Sequence, residues 1–334
     1  MELQWFTDYL FLRKQIVQFN SVFSEPNPIN TGVPQGSILG PLLFLIFFND
    51  VHSPLLHCEI ITYADDAVIF TSSSDIDVIQ NDLTQDLDDL SAWFRDNELI
   101  FNLKKGKCEV MLFGTGKRLN LLQGCQIKLS VNDSPINTTT CYKYLGVHLD
   151  PTLNFETHFQ KLYKKAAGRV NLLRRIRSSI DTLSAQRICQ SMIMPIFTNC
   201  GYNSLGWLES RKRMIRSIET RSLEIISPKC SLQNCDLRFL TIDNFLKRRA
   251  CYFVFDCLNG TACFPFKYYF QRLLHNALNT RNNGKTAKLP KVKLDFARSS
   301  FYFLGASIFN SLPLNSRNID SRVLFRKAFD DYYL

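Results

Sequence analysis

The sequence predicts an α+β chain: short antiparallel strands with packed helices first, then a helical and basic second part. Three observations predict it. The stretch TYADDAVIF, residues 62–70, sits between two apolar, β-branched runs separated by a two-residue break, the pattern of a hairpin. Leu83, Leu87, Leu90 and Phe94 then recur at spacings of four, three and four, one apolar stripe of a long helix. From Asn154 the period is helical, with Phe159, Leu162, Ala166, Val170, Leu173, Ile176 and Ile180 on one face.

The elements follow in order. MELQWFTDYLFLRKQ reads as a helix with Trp5, Leu10 and Phe11 partly buried, and QIVQFNSVFS as a strand. The Pro- and Asn-rich SEPNPINTGVPQGS is a loop closed by Ser37 as an N-cap. Gly40-Pro41 lies in the first turn of a helix through LLFLIFFND, apolar all round and therefore expected to be buried. After the hairpin, SSSD opens the long helix, whose Asp82, Asp86, Asp88 and Asp89 read as a solvated face. LIFN, CEVMLFG, CQIKLSV and YKYLGVHL are short strands. Beyond the helix from Asn154 to Ile180, two more helical patterns cover Leu183–Phe197 and Arg211–Ile226. The change of period sets a boundary near residue 152; after about 230 the chain stays basic and aromatic without a sharper pattern.

Composition bounds the function classes. The chain has 334 residues and 46% hydrophobic content, enough for substantial cores. Residues 1–100 hold 3 Lys/Arg against 15 Asp/Glu, and residues 101–334 hold 37 against 15, so nets of −12 and +22 sum to the overall +10. Such polarity fits a polyanion lying along the second part. Eleven scattered cysteines, without a basic-then-apolar leader, read as reduced thiols of an intracellular protein, nuclear or cytoplasmic alike. Their spacing fits no zinc ribbon or knuckle. The longest apolar run is broken by Gly40-Pro41 and is too short for a bilayer, so no membrane partner is expected.

Asp65 and Asp66 carry the chemistry. Asp-Asp is a poor choice for a tight hairpin, where both central residues favour positive φ. Adjacent carboxylates also repel each other unless a cation intervenes. Hard oxygen ligands suit Mg²⁺, which keeps waters and binds through one or two carboxylates and substrate phosphates. The competing reading is a plain solvent-exposed acidic turn.

The neighbouring motifs decide. TGVPQGSILGPLLFLIFFNDV followed by YADDAVIF resembles the reverse transcriptase of non-LTR retrotransposons. WFTDYLFLRKQ, LIFNLKKGKCEVMLFG, YKYLGVHLDPTLNF and LPKVKLDFARSSFYFLGASIFNSLPLNSR resemble further segments of those open reading frames, so the likeness covers most of the chain. The resemblance implies a partial polymerase palm over 1–152, a helical thumb over 153–230 and a basic C-terminal region over 231–334. It implies a two-ion Mg²⁺ site with Asp65 as a direct ligand and Asp66 in support. Pro34, Gln35 and Gly36 would meet template and incoming nucleotide, and Lys105 would lie near the triphosphate. Tyr144, Leu145 and Gly146 would contact the primer. Lys161, Lys164, Lys165 and Arg169 would follow the nucleic-acid backbone, in a stretch from 155 to 180 with seven Lys/Arg and one Glu. RNA template, DNA primer and deoxynucleoside triphosphates are the implied partners. One departure stands out: the family's further metal-binding aspartate, on a strand upstream of Trp5, has no counterpart, since Asp8 is the only aspartate before Asp50 and falls in a helical pattern. The chain is therefore expected to be inactive alone. Two alternatives are a non-catalytic nucleic-acid-binding remnant and a split enzyme completed by a second chain.

Overall fold

The computed structural model describes residues 2–104, 106–122, 127–198, 209–228, 241–262, 266, 270, 286–293 and 295–333. The chain divides into two compact units, Met1–Tyr142 and Lys143–Leu334.

The first unit mixes helices with short strands, in keeping with the α+β class. Helix α1 (Glu2–Leu10) precedes β1 (Arg13–Gln15), which pairs antiparallel with β4 (Asn27–Ile29). Between them the expected single strand QIVQFNSVFS folds back on itself as β2 (Gln18–Phe19) and β3 (Val22–Phe23). The cause is the pair Asn20 and Ser21, with φ of 45° and 64°, the two left-handed positions of a tight hairpin, where Asn is favoured.

Helix α2 spans Gly40–Phe47. Its capping position is Leu39, without a side-chain bond, although Ser37 Oγ does accept the Gly40 N–H at 3.0 Å. The helix is not buried as its composition predicts: Leu42, Leu45, Ile46 (64% exposed) and Phe47 face solvent. A helix apolar all round needs cover on every side, and this unit supplies a core on one side only. There Phe44 and Phe48 stack, and Phe48 meets Trp93 and Phe94 edge-on beside Val51 and Leu90.

Strands β5 (Glu59–Tyr63) and β6 (Asp66–Phe70) form the predicted ribbon, and α3 runs Ile76–Asp96 behind a capping Asp75. Leu87 of α3 packs with Ile127, Leu129 and Val131, and Ile69 joins from the ribbon. The remaining strands are β7 (Glu109–Val110), β8 (Ser130–Val131), β9 (Ser134–Pro135), β10 (Asn137–Thr138), β11 (Tyr142–Tyr144) and β12 (Val147–Leu149), with helix α4 (Gly116–Leu121) among them. In place of one antiparallel sheet, the described residues form six separate two-stranded pairs, of which β7·β10 is parallel.

The second unit is helical after β11·β12. Helix α5 spans Glu156–Ile176, shorter than the Asn154–Ile180 expected. It ends where Arg177 turns aside to donate to the carbonyls of Ile225 and Ile226, the last of helix α8 (Glu209–Ile226), and to Ile180 O. A guanidinium on terminal carbonyls satisfies acceptors that a helix leaves open. Helices α6 (Thr182–Ile188) and α7 (Met194–Thr198) are joined by a π-helical turn at Cys189–Ile193. Phe159, Ala166, Val170 and Leu173 are buried as the periodicity requires, against Ala185, Phe197, Ile215 and Ile218. Helix α9 (Ile242–Leu258) shares that core through Ile242, Leu246 and Ala250. Its far end joins Phe309, Phe325 and Phe329, from helices Phe301–Asn310 and Arg322–Tyr333, in a second core. No described helix is long and apolar enough to cross a membrane.

One buried charge tunes this unit. Glu219 is 3% exposed, and its Oε1 accepts the Ile242 N–H, at the start of α9, at 2.5 Å. Burial pushes its carboxyl up to about 7, with Asp243 adding to the rise and the Ile242 bond and Arg216 opposing it. A carboxyl with a raised folded value holds its proton longer in the folded state, so stability falls as pH rises from the usual carboxylate range to about 7. Glu219→Gln keeps the acceptor and removes the charge. Chemical denaturation is expected to show it gaining on wild type by roughly 3 kcal/mol between acid and neutral pH.

Candidate functional site

The acidic turn stands at the tip of the β5·β6 ribbon. Tyr63 pairs with Asp66, so the two loop residues are Ala64 and Asp65, one position earlier than the sequence break implies. Ala64 carries φ 53°, a left-handed conformation that costs an alanine on the order of 1 kcal/mol. That strain lets Asp65 occupy the turn while Asp66 begins β6. Both carboxylates are exposed, and neither has a hydrogen bond or ion pair among the described residues. The strands are not buried as their sequence predicts: Ile61 is 56% and Tyr63 65% exposed. A two-stranded ribbon covers only the residues that α3 and its neighbours touch, here Ile60 and Ile69.

The base of the ribbon is held by a residue the sequence reading assigned to solvent. Asp86 of α3 is fully buried. Its Oδ1 accepts the Leu56 N–H at 3.1 Å, and its Oδ2 accepts the N–H groups of His57 at 2.9 Å and Cys58 at 2.6 Å. Burial opposes its charge, but the three backbone bonds and one from the Cys58 thiol together hold the carboxyl below its ordinary value. Burial, and then Asp86, push that thiol up to about 12, so it stays protonated. The signal was present in the spacing. Asp86 stands three residues after Leu83 and four before Leu90, closer to the apolar stripe than Asp82, Asp88 or Asp89.

The Pro34-Gln35-Gly36 loop is a built turn. Ser37 N–H donates to Pro34 O at 3.3 Å, and Gly36 at φ 82° fills the position that requires a left-handed residue. Ser37 Oγ donates to Pro34 O at 2.8 Å and accepts from Tyr9 Oη at 2.7 Å. Arg13 donates to the carbonyls of Thr31 at 3.1 Å and Gly32 at 2.6 Å. A Cβ on Gly40 would stand 2.9 Å from Ser37 Oγ and 3.2 Å from Pro34 O, so only glycine lets α2 start against this turn. Gln35 and Gly36 are exposed. No hydrogen bond joins this loop to Asp65 or Asp66 among the described residues.

Lys105 lies outside the described residues. Leu145 and Gly146, at φ 44° and 88°, form the turn between β11 and β12, with Tyr144 half-buried before it. On α5, Lys161, Lys164 and Lys165 are exposed, as are Arg174 and Arg175. Arg169 is half-buried and donates to the Met192 carbonyl, which commits it to holding α5 against the π-helical turn. Among the described residues, no group of three or more His, Cys, Asp or Glu side chains is placed to hold a metal ion. Asp65 and Asp66 offer hard oxygens that suit one hydrated Mg²⁺; a pair of ions takes more ligands than these two supply.

Comparison with known proteins covers the two turns that carry Gln35 and Asp65. Residues 1–149 match the family model described as reverse transcriptase (RNA-dependent DNA polymerase). The chain is 29% identical over 215 residues to the "RNA-directed DNA polymerase from mobile element jockey" of Drosophila melanogaster, covering 61% of this chain and 22% of that protein. It is 31% identical over 193 residues to the protein of the same name from Drosophila funebris, covering 55% and 20%. The chain thus spans about a fifth of the length of these curated relatives. No solved structure matches.

The Asp86 bonds carry a direct consequence. Asp86→Ala leaves three N–H groups without their acceptor and is expected to destabilise the first unit by about 2–3 kcal/mol. Amide exchange at Leu56, His57 and Cys58 should accelerate together. Because the folded carboxyl is depressed, its contribution is present above the usual carboxylate range and is lost as pH falls through the lower folded value. Denaturation followed against pH checks the sign.

Proposed function

We infer from the reverse transcriptase signature over residues 1–149 that the chain is the nucleic-acid-engaging C-terminal part of a retrotransposon RNA-directed DNA polymerase. The observation that carries the reading is the order of two motifs inside that signature: the Pro34-Gln35-Gly36 turn, then the acidic turn projecting from a clamped ribbon. On this reading residues 1–152 are palm, 153–230 thumb and 231–334 the basic C-terminal region. Free thiols at Cys58, Cys108, Cys189 and Cys251 fit work inside the cell, in nucleus or cytoplasm.

On this reading each site residue has a role. Asp65 and Asp66 hold a divalent cation in solvent reach. Mg²⁺, when bound, supplies charge neutralisation and orientation for a nucleoside triphosphate. The exposed Gln35 and Gly36 lie against template and nucleotide, where a residue without a side chain permits close approach. Tyr144, Leu145 and Gly146 hold the primer end, and Lys105, outside the described residues, is given to the triphosphate on the resemblance alone. Lys161, Lys164 and Lys165 grip backbone phosphates. Among the described residues Asp65 and Asp66 fall short of a two-ion site, so the chain by itself is expected to bind RNA and DNA without extending a primer. This same shortfall favours a second reading, a non-catalytic nucleic-acid-binding protein.

Fluorescence anisotropy with a labelled RNA·DNA primer–template tests both readings. Binding is expected to weaken steeply with salt, and Lys164→Gln and Lys165→Gln should each reduce the logarithmic salt slope by about 1. Nucleotide incorporation is expected only when an upstream segment bearing a third carboxylate is added, and Asp65→Asn should abolish it. Restored incorporation selects the polymerase reading and its absence the binding one. Salt-insensitive or absent binding contradicts both.

A further inference from the structure

Beside the β11·β12 turn, the second unit sets Lys161, read above as a phosphate contact, against His148, to which no role has been given. His148 follows Gly146 by two residues on β12, and Lys161 lies one turn into α5. Lys161 Nζ stands 3.4 Å from His148 Nδ1 and 3.3 Å from Nε2. A neutral imidazole has one accepting nitrogen and one N–H. An ammonium about equally far from both nitrogens lies beside the ring and off the line of either in-plane lone pair, so a fixed positive charge and a titratable ring share one small region. A lysine and a titratable ring side by side at a half-exposed position suit an oxyanion.

The surroundings agree. His158, buried on α5, accepts the His148 backbone N–H at its Nδ1 at 3.4 Å, and the two rings lie 6.2 Å apart. Lys143, on β11, adds a further positive charge acting on His148. The acids of the neighbouring segment are engaged elsewhere. Asp150 accepts from Thr152 N–H and Oγ1, Asn154 N–H and Phe155 N–H, shaping the loop ahead of α5. Glu156 pairs with Arg211 and accepts from Gln160. Burial, Lys161 and Lys143 hold the His148 ring below its ordinary value, and burial with His148 and Lys161 does the same for His158.

We propose that His148 and Lys161, with Lys143, form a phosphate-binding site that takes up a proton as it binds the nucleic-acid backbone beside the Leu145–Gly146 turn. The proposal rests on the nucleic-acid reading above, and the exposed Lys164 and Lys165 on the same helix make a phosphodiester the occupant. Without an anion, a second positive charge beside Lys161 is disfavoured and the ring stays neutral. A phosphate between the two groups reverses that balance, so His148 takes a proton and gains a second donor. The ring's value is low when free and raised when bound, so binding tightens as pH falls between the two values.

The test measures affinity for a labelled RNA·DNA duplex at fixed ionic strength from about pH 8 to about pH 5.5, with the His148 ring followed by NMR. Wild type is expected to tighten about fivefold across this range, within the tenfold per pH unit that one proton allows. Duplex addition should raise the His148 midpoint, a readout that needs no variant. His148→Gln, checked for a wild-type melting curve, should flatten the profile to less than about twofold while leaving high-pH affinity nearly unchanged. Lys164→Gln should weaken binding equally at every pH. Coincident profiles for wild type and His148→Gln, or an unmoved midpoint with duplex bound, would overturn the site and leave the nucleic-acid reading standing. No duplex binding at any pH overturns both. A midpoint raised as far by inorganic phosphate alone overturns the backbone assignment in favour of a free phosphate.

Discussion

A single buried carboxylate organises the first unit. Asp86 reaches out of α3 to collect three successive N–H groups at Leu56, His57 and Cys58, immediately before β5 begins. The ribbon that follows has no third strand among the described residues, and much of its surface faces water. Side-chain packing alone holds such a ribbon weakly. The carboxylate ties its root to the longest helix of the unit, while Ile60 and Ile69 pin one face to the core. The free end then carries Asp65 and Asp66 outward on a strained Ala64, where a hydrated cation can reach them.

The second unit is built on different physics. Its helices bury aliphatic and aromatic stripes from one end to the other, and the basic residues of α5 and its C-cap divide into two kinds. Arg177 and Arg169 are spent on carbonyls of neighbouring segments and lock the bundle. Lys161, Lys164, Lys165, Arg174 and Arg175 stay at the surface of one helix. Counted over the two units, residues 1–142 hold 9 Lys/Arg against 17 Asp/Glu and residues 143–334 hold 31 against 13, so nets of −8 and +18 give an acidic ribbon unit and a basic helical one.

Much of this was legible in the residues. The hairpin followed from two apolar, β-branched runs around a short break, and the α3 stripe and the buried face of α5 from the 3.6 period, which marks the side of a helix that meets a core. Expectations failed where composition and packing part company. Helix α2 is apolar enough to be buried on all sides, yet burial depends on what surrounds it. QIVQFNSVFS reads as one strand until two consecutive left-handed residues are known. Asp86 was hidden because an acidic residue near a stripe defaults to solvent, and only the three N–H groups across from it justify burying the charge. His148 lies in YKYLGVHLDPTLNF, yet nothing in that stretch marks it out; its meaning comes from Lys161, thirteen residues away and across a turn.

The account turns on the acidic tip being a site for a hard divalent cation. Mn²⁺, a paramagnetic stand-in for Mg²⁺, reports this directly through amide relaxation. The account predicts that low Mn²⁺ broadens the amides from Tyr63 to Ala67 first, that Mg²⁺ competes the effect away, and that Asp65→Asn abolishes it. Broadening that begins elsewhere on the chain, or that survives in Asp65→Asn, would contradict it.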